Sequence, residues 1–103
     1  MDIFNKKTAI PKHTFVGGQK IEVVSVPELE EAAGQCEYFE GKLYIAQTVN
    51  GKIPSDHSKY NTYNHELVHA ILFFMGEDKL SLNEKFVSCF AGLLTEARIN
   101  ETF

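Results

Sequence analysis

Asn64-His65-Glu66-Leu67-Val68-His69-Ala70-Ile71-Leu72-Phe73-Phe74-Met75-Gly76 is the stretch from which the rest of the chain is read. From Leu67 to Met75 every residue but His69 is apolar. That predicts a helix apolar nearly all round and packed on several sides in the middle of the domain. The helix is expected to start between Ser55 and Asn61, to span about 58–75, and to close at Gly76, which tolerates the left-handed conformation that ends helices. On it, His65 and His69 lie four apart, so their imidazoles leave one face about 6 Å apart along the axis. Both can reach one ion. Imidazole nitrogen ligates zinc at about 2.0–2.1 Å, and ligands on a rigid helix avoid much of the ordering entropy of a loop site. Glu66 is rotated by about 100° from His65, beside such an ion rather than on it. Zinc lowers the pKa of a water it holds towards about 7, and a neighbouring carboxylate can take the proton as the oxygen attacks a carbonyl carbon. The alternative is a pair of ordinary polar histidines, but on a buried helix each ring would then need a partner of its own.

A chain of 103 residues, 44% apolar and 12% aromatic, suits one compact soluble domain. Ten basic and fourteen acidic residues give a net charge of −4, and the Lys and Arg residues are scattered, so nucleic acid is not expected as a partner. No apolar run approaches the roughly 18–20 residues that span a bilayer, so no membrane partner is expected. Met1 to Pro11 lacks the apolar centre of a secretory signal, and the expected location is cytoplasmic. Cys36 and Cys89 belong to no CxxC pair. Cys89, among apolar residues, reads as a small buried thiol, and Cys36, in an apparent turn, is given no role.

The chain changes character near Pro54, from strands and turns over about 13–53 to helices. His13–Val16 and Gln19–Val26 flank Gly17-Gly18 as a hairpin. Glu28–Ala33 reads as a short helical turn ending at Gly34. Glu37–Glu40 and Leu43–Thr48 read as a second strand pair around Gly41, closed by an Asn50-Gly51 turn. A last helix is expected from near Ser81, over about 82–99. Its apolar stripe is Phe86, Phe90, Leu93 and Ala97, widened by Val87, Cys89 and Leu94. The expected fold class is α+β, a single domain over residues 1–103 with a small, mostly antiparallel twisted sheet packed on the central HELVH helix and a C-terminal helix against it.

Catalytic zinc sites usually take three protein ligands. Glu84 is the candidate for the third, because a turn at Gly76–Leu80 should fold the last helix back along the first. Ser81 and Glu84 also fit a capping box, in which the glutamate serves only its own helix. Glu77, Asp78 and His57 are the reserves. Asn64 and Asn83, each next to a candidate ligand, read as caps or surface residues with a supporting hydrogen bond as the alternative. Tyr60, Tyr63 and His57 are candidate oxyanion donors, though tyrosines at this spacing more often pack a helix. His13 reads as a surface histidine.

His65, Glu66 and His69, followed by Asn83 and Glu84, resemble the gluzincin metallopeptidases, and within them the minigluzincins and small phage-type HExxH proteins of about this length. The resemblance covers roughly Leu43 to Leu94. It implies a zincin-like fold, one zinc ion held by His65, His69 and Glu84, and Glu66 as the general base. It also implies a strand before the motif helix that pairs with extended substrates, here Leu43–Thr48. Gluzincins carry an acidic residue four positions after the ligand glutamate. This chain has Ser88 there.

The function expected is therefore a zinc-dependent metallopeptidase of minigluzincin type, acting on a peptide or protein substrate. The alternative is a catalytically silent or latent zinc-binding protein of the same fold that acts through protein contact, for example as a phage or prophage accessory factor. A third reading is a structural domain without metal.

Overall fold

The computed structural model describes residues 6–103. A 3-10 turn, Lys6–Thr8, leads into β1 (His13–Val16), β2 (Gln19–Val26), β3 (Gly34–Glu37), a second 3-10 turn (Tyr38–Glu40) and β4 (Lys42–Ala46). Then come α1 (Asp56–Met75), α2 (Asp78–Leu82) and α3 (Glu84–Ile99). The fold is α+β, with α1 between the sheet on one side and α3 on the other.

The sheet has the order β1-β2-β4-β3, with β1–β2 and β3–β4 antiparallel and β2–β4 parallel. The Gly17-Gly18 hairpin forms with the expected strands, and both glycines take positive φ. The second pair is shifted. Tyr38–Glu40 coils into the 3-10 turn rather than extending, and Gly41, in the left-handed conformation, donates its N–H to the Tyr38 carbonyl at 2.9 Å. The strand that pairs with β4 is therefore Gly34–Glu37, which puts Cys36 in a strand and not a turn. Nor is Glu28–Ala33 helical. Leu29 and Ala32 close a two-residue turn through Glu30 and Glu31, the latter at φ 54° and so outside the right-handed helical region. The Asn50-Gly51 turn forms as expected, with Val49 and Lys52 exchanging both backbone bonds.

Helix α1 starts at Ser55, whose Oγ accepts the Ser58 N–H, and ends at Gly76 with φ 75°. Val16, Ile21, Leu43 and Ile45 pack against Tyr60, Tyr63 and Ala70 of α1, forming the core between sheet and helix. Val68 and Leu72 meet Val87 and Ala91 of α3 on the other side. The last turn of α1 is not packed all round: Ile71, Phe73, Phe74 and Met75 are exposed, although Phe74 lies against Gly17 of the hairpin and Phe73 against Tyr38.

The last helix forms as α3 close to the expected bounds, while the segment read as a turn coils into the short α2, which ends at Asn83. Asn83 caps α3 by accepting the Phe86 N–H on Oδ1 at 3.1 Å, so the Ser81–Glu84 capping box does not form. The face of α3 turned to α1 is Val87, Ala91 and Thr95, flanked by Phe86 and Leu94, while Phe90, Leu93, Ala97 and Cys89 are exposed. The helix is apolar on two sides, and the side with smaller residues allows α1 the closer approach. Cys89 is thus an exposed thiol rather than a buried one.

Candidate metal centre

The face of α1 between the sheet and α3 carries His65 and His69, whose ring centroids stand 5.0 Å apart. The break at Asn83 turns the chain so that Glu84, the first residue of α3, reaches both rings. Glu84 Oε2 lies 3.2 Å from His65 Nε2, and Oε1 lies 3.2 Å from His69 Nε2. One ligand atom from each of the three side chains lies within 4.8 Å of the other two. Nitrogen and oxygen ligands of a tetrahedral zinc sit roughly 3.4 Å apart, so this His-His-Glu set fits that ion in atom type and spacing. Among the described residues no other such cluster forms, and the reserves Glu77, Asp78 and His57 are exposed outside it.

Ser81, on the short α2, puts its Oγ 3.0 Å from His69 Nδ1. With Nε2 turned to a cation, Nδ1 carries the ring proton and donates it to Ser81, which fixes the tautomer and the ring. His65 has no hydrogen bond beyond its contact with Glu84 among the described residues, and Ser88 is exposed. Support for the pair therefore falls on His69.

The Glu66 carboxyl is buried, only 7% exposed, and is pushed up to about 7, first by burial and then by the charge of Glu84. His69 is held below its ordinary value, chiefly by burial, with Glu84 acting the other way. At 3.2 Å a neutral His69 ring donates an Nε2 proton to Glu84, or, with the proton on Nδ1, turns a lone pair towards the carboxylate, the form a metal ligand takes.

These groups line one wall of a cleft of about 630 Å³, whose other wall is β3 and the turn after it. Gly34 brings strand and helix together: a Cβ there would lie 2.6 Å from Thr62 Cγ2 and 3.0 Å from Glu66 Cγ. β3 is an edge strand, whereas β4, the strand the resemblance assigns to substrate pairing, is enclosed between β2 and β3. The available edge is therefore β3. Ala46 donates its N–H to the Ala33 carbonyl at 2.9 Å. Counting the antiparallel alternation from that bond turns the backbone groups of Gly34 and Cys36 outward. The Cys36 thiol borders the cleft but is pushed up to about 12, by burial first and then by Glu66 and Glu37. It stays protonated and lies outside the ligand cluster.

Several sequence candidates are elsewhere. Tyr60 and Tyr63 are buried in the core, stacked at 6.2 Å. Asn64 is neither cap nor surface residue: it is fully buried, donating to Thr95 Oγ1 at 2.9 Å and accepting from Arg98 at 3.2 Å. His13 is exposed. Residues not anticipated include Ser81, and Asn61 and Thr62 at the cleft wall. Ser81 is visible only once α2 is known, because a last helix starting near Ser81 would spend it as a cap. No helix among the described residues is long and apolar enough to cross a membrane. Comparison of the chain with family models, with curated proteins and with solved structures finds no match.

Proposed function

We propose that the protein is a zinc-dependent metallopeptidase of minigluzincin type, with His65, His69 and Glu84 holding one zinc ion and Glu66 as general base. The observation that carries this reading is the buried Glu66 carboxyl beside a His-His-Glu cluster, in a cleft bordered by an unpaired strand edge. When bound, zinc supplies the Lewis acidity that makes water a nucleophile near neutral pH. Glu66 would accept the proton that water gives up and return it to the leaving amine nitrogen, a role suited to a buried carboxyl at the edge of the cluster. Gly34 and Cys36 offer outward backbone groups to an extended peptide, as strand addition requires. Ser81 keeps His69 in one orientation. A cytoplasmic setting, where thiols stay reduced, goes with two free cysteines.

The test is elemental analysis followed by a cleavage screen on an unstructured protein. The expected result is about one zinc per chain, cleavage by the wild type, and zinc without cleavage in Glu66→Gln. Cleavage that survives Glu66→Gln removes the proposed base. A second reading, a zinc-holding protein that acts by contact, has in its favour the apolar outer face of α3, where Phe90 and Leu93 are 48% and 68% exposed. It predicts zinc, no cleavage, and partner binding indifferent to Glu66→Gln.

A further inference from the structure

Beyond the end of β3 the cleft is floored by three aromatic rings. Tyr38 lies on Phe73 with ring centroids 4.7 Å apart, and Phe39 meets Phe73 edge-on at 4.9 Å. Phe39 keeps 86% of its surface exposed, and Phe73 keeps 37%. Burying a Phe ring is ordinarily worth a good deal. Yet the tight turn closed at Gly41 holds this one in the open, edge-on to Phe73 and facing the cleft. All three rings line the same cleft as His65, Glu66 and His69.

The distance from this shelf to the metal cluster is set by α1. Phe73 follows His69 by four residues on the same helix face, about 6 Å along the axis. β3 runs alongside, from Gly34 beside Glu66 to Glu37, which leads directly into Tyr38 and Phe39. An extended peptide advances about 3.3 Å per residue, so a chain on the β3 edge passes from the cluster to the rings in two or three residues. Antiparallel pairing is the more stable arrangement. It places the peptide's amino-terminal side over the rings and its carboxy-terminal side towards Ala33. The lining residues also include the carboxylates of Glu37, Glu66 and Glu84 and no Lys or Arg, which disfavours an acidic side chain.

We infer that Tyr38, Phe39 and Phe73 form a subsite for a large apolar side chain two or three residues to the amino-terminal side of the scissile bond. The substrates are then extended peptides with Phe, Leu or a similar residue at that position. This rests on the peptidase reading above and adds to it the choice of substrate.

The experiment uses the zinc-loaded protein and peptides identical except at each of the three positions before the cleaved bond, where Phe, Leu, Ala or Asp is installed in turn. Phe and Leu should exceed Ala at one of those positions by about ten- to a hundredfold in kcat/KM, with Asp the poorest. Phe39→Ala should collapse that preference through a higher KM for the Phe peptide, with zinc content as in the wild type. Phe39→Leu should restore part of it. Phe15→Ala, at a ring 60% exposed on the β1–β2 hairpin, should leave the preference as it was. Cleavage without preference at these positions, a preference confined to the carboxy-terminal side, or one that persists in Phe39→Ala overturns the subsite and leaves the peptidase reading standing. Zinc-loaded wild type that cleaves none of the peptides overturns both.

Discussion

On the flank of α1 turned to α3, the amide of fully buried Asn64 is used at both ends: Thr95 accepts from it and Arg98 donates to it. Thr95 hands its own proton to the Ala91 carbonyl at 2.7 Å, and the Arg98 guanidinium lies 5.6 Å over the Tyr60 ring. On the neighbouring flank, His65, Glu66 and His69 meet Glu84 with no cation from the chain among the residues lining the cleft. Asn64 lies where water is scarce and needs partners of its own, whereas the side chains of His65 and His69 are 21% and 17% exposed and that of Glu84 is 65% exposed. The first completes itself from within. The second gathers two carboxylates and two imidazoles beside an open cleft and pushes one carboxyl up to about 7. A closed network is architecture, whereas the open one has the composition of the metal site proposed above.

The largest effect that could break this contrast is on the metal. Zinc at a thousandfold excess over its dissociation constant should stabilise the wild type by about 4 kcal/mol. Glu84→Ala should lose nearly all of that, as thermal melts with and without zinc would show. A melting temperature that still rises with zinc in Glu84→Ala would mean that the cluster is not the site. Asn64→Ala tests the other flank: leaving Arg98 and Thr95 without their partner should cost about 2–4 kcal/mol by urea unfolding. Its zinc per folded chain should match the wild type.

A third prediction concerns pH in the metal-free protein. Glu66 rises from an ordinary 4.5 to about 7, so the folded state holds a proton that the unfolded chain releases. Its contribution is fully present below about pH 4.5 and is lost as pH climbs through 7, a decline of about 2–3 kcal/mol. Glu66→Gln cannot ionise and should lack that decline. The stability difference between the two proteins, measured from pH 4 to 8, isolates Glu66 from the opposing influence of His69, and curves that run parallel across that range would contradict it. The smallest effect belongs to Ser81→Ala, which frees the His69 ring and should weaken zinc binding by about 10–100-fold in a chelator competition, with the fold intact.

Much of this contrast was legible in the sequence on one flank only. The four-residue spacing of His65 and His69 is a property of helix geometry, and Gly76 marks the helix end, so motif and helix could be read directly. Glu84 depended on a turn whose direction no local pattern encodes, and two readings stayed open until the Asn83 cap was seen to replace the Ser81 one. Asn64 was misread because its partners, Thr95 and Arg98, lie 31 and 34 residues away. The expected stripe of α3 mixes its two apolar sides, because Phe90 and Leu93 weigh more in a periodicity than Ala91 and Thr95, which lie with Val87 on the core face. The edge strand was misjudged for a topological reason: β4 enters between β2 and β3, and the order of strands along a chain does not fix their order in a sheet.

Gly34 carries a consequence for how such a groove could change. Where β3 crosses α1 a single hydrogen atom stands in place of a side chain, and even a methyl group would collide with Thr62 and crowd Glu66. The gap at that end is as narrow as a backbone permits, so nothing bulkier can be admitted there without lifting the strand away from the helix. Under the proposed function, any change in what the groove accepts would have to occur at its far end, in the Tyr38–Glu40 bend, where Phe39 is exposed and can be exchanged at little structural cost.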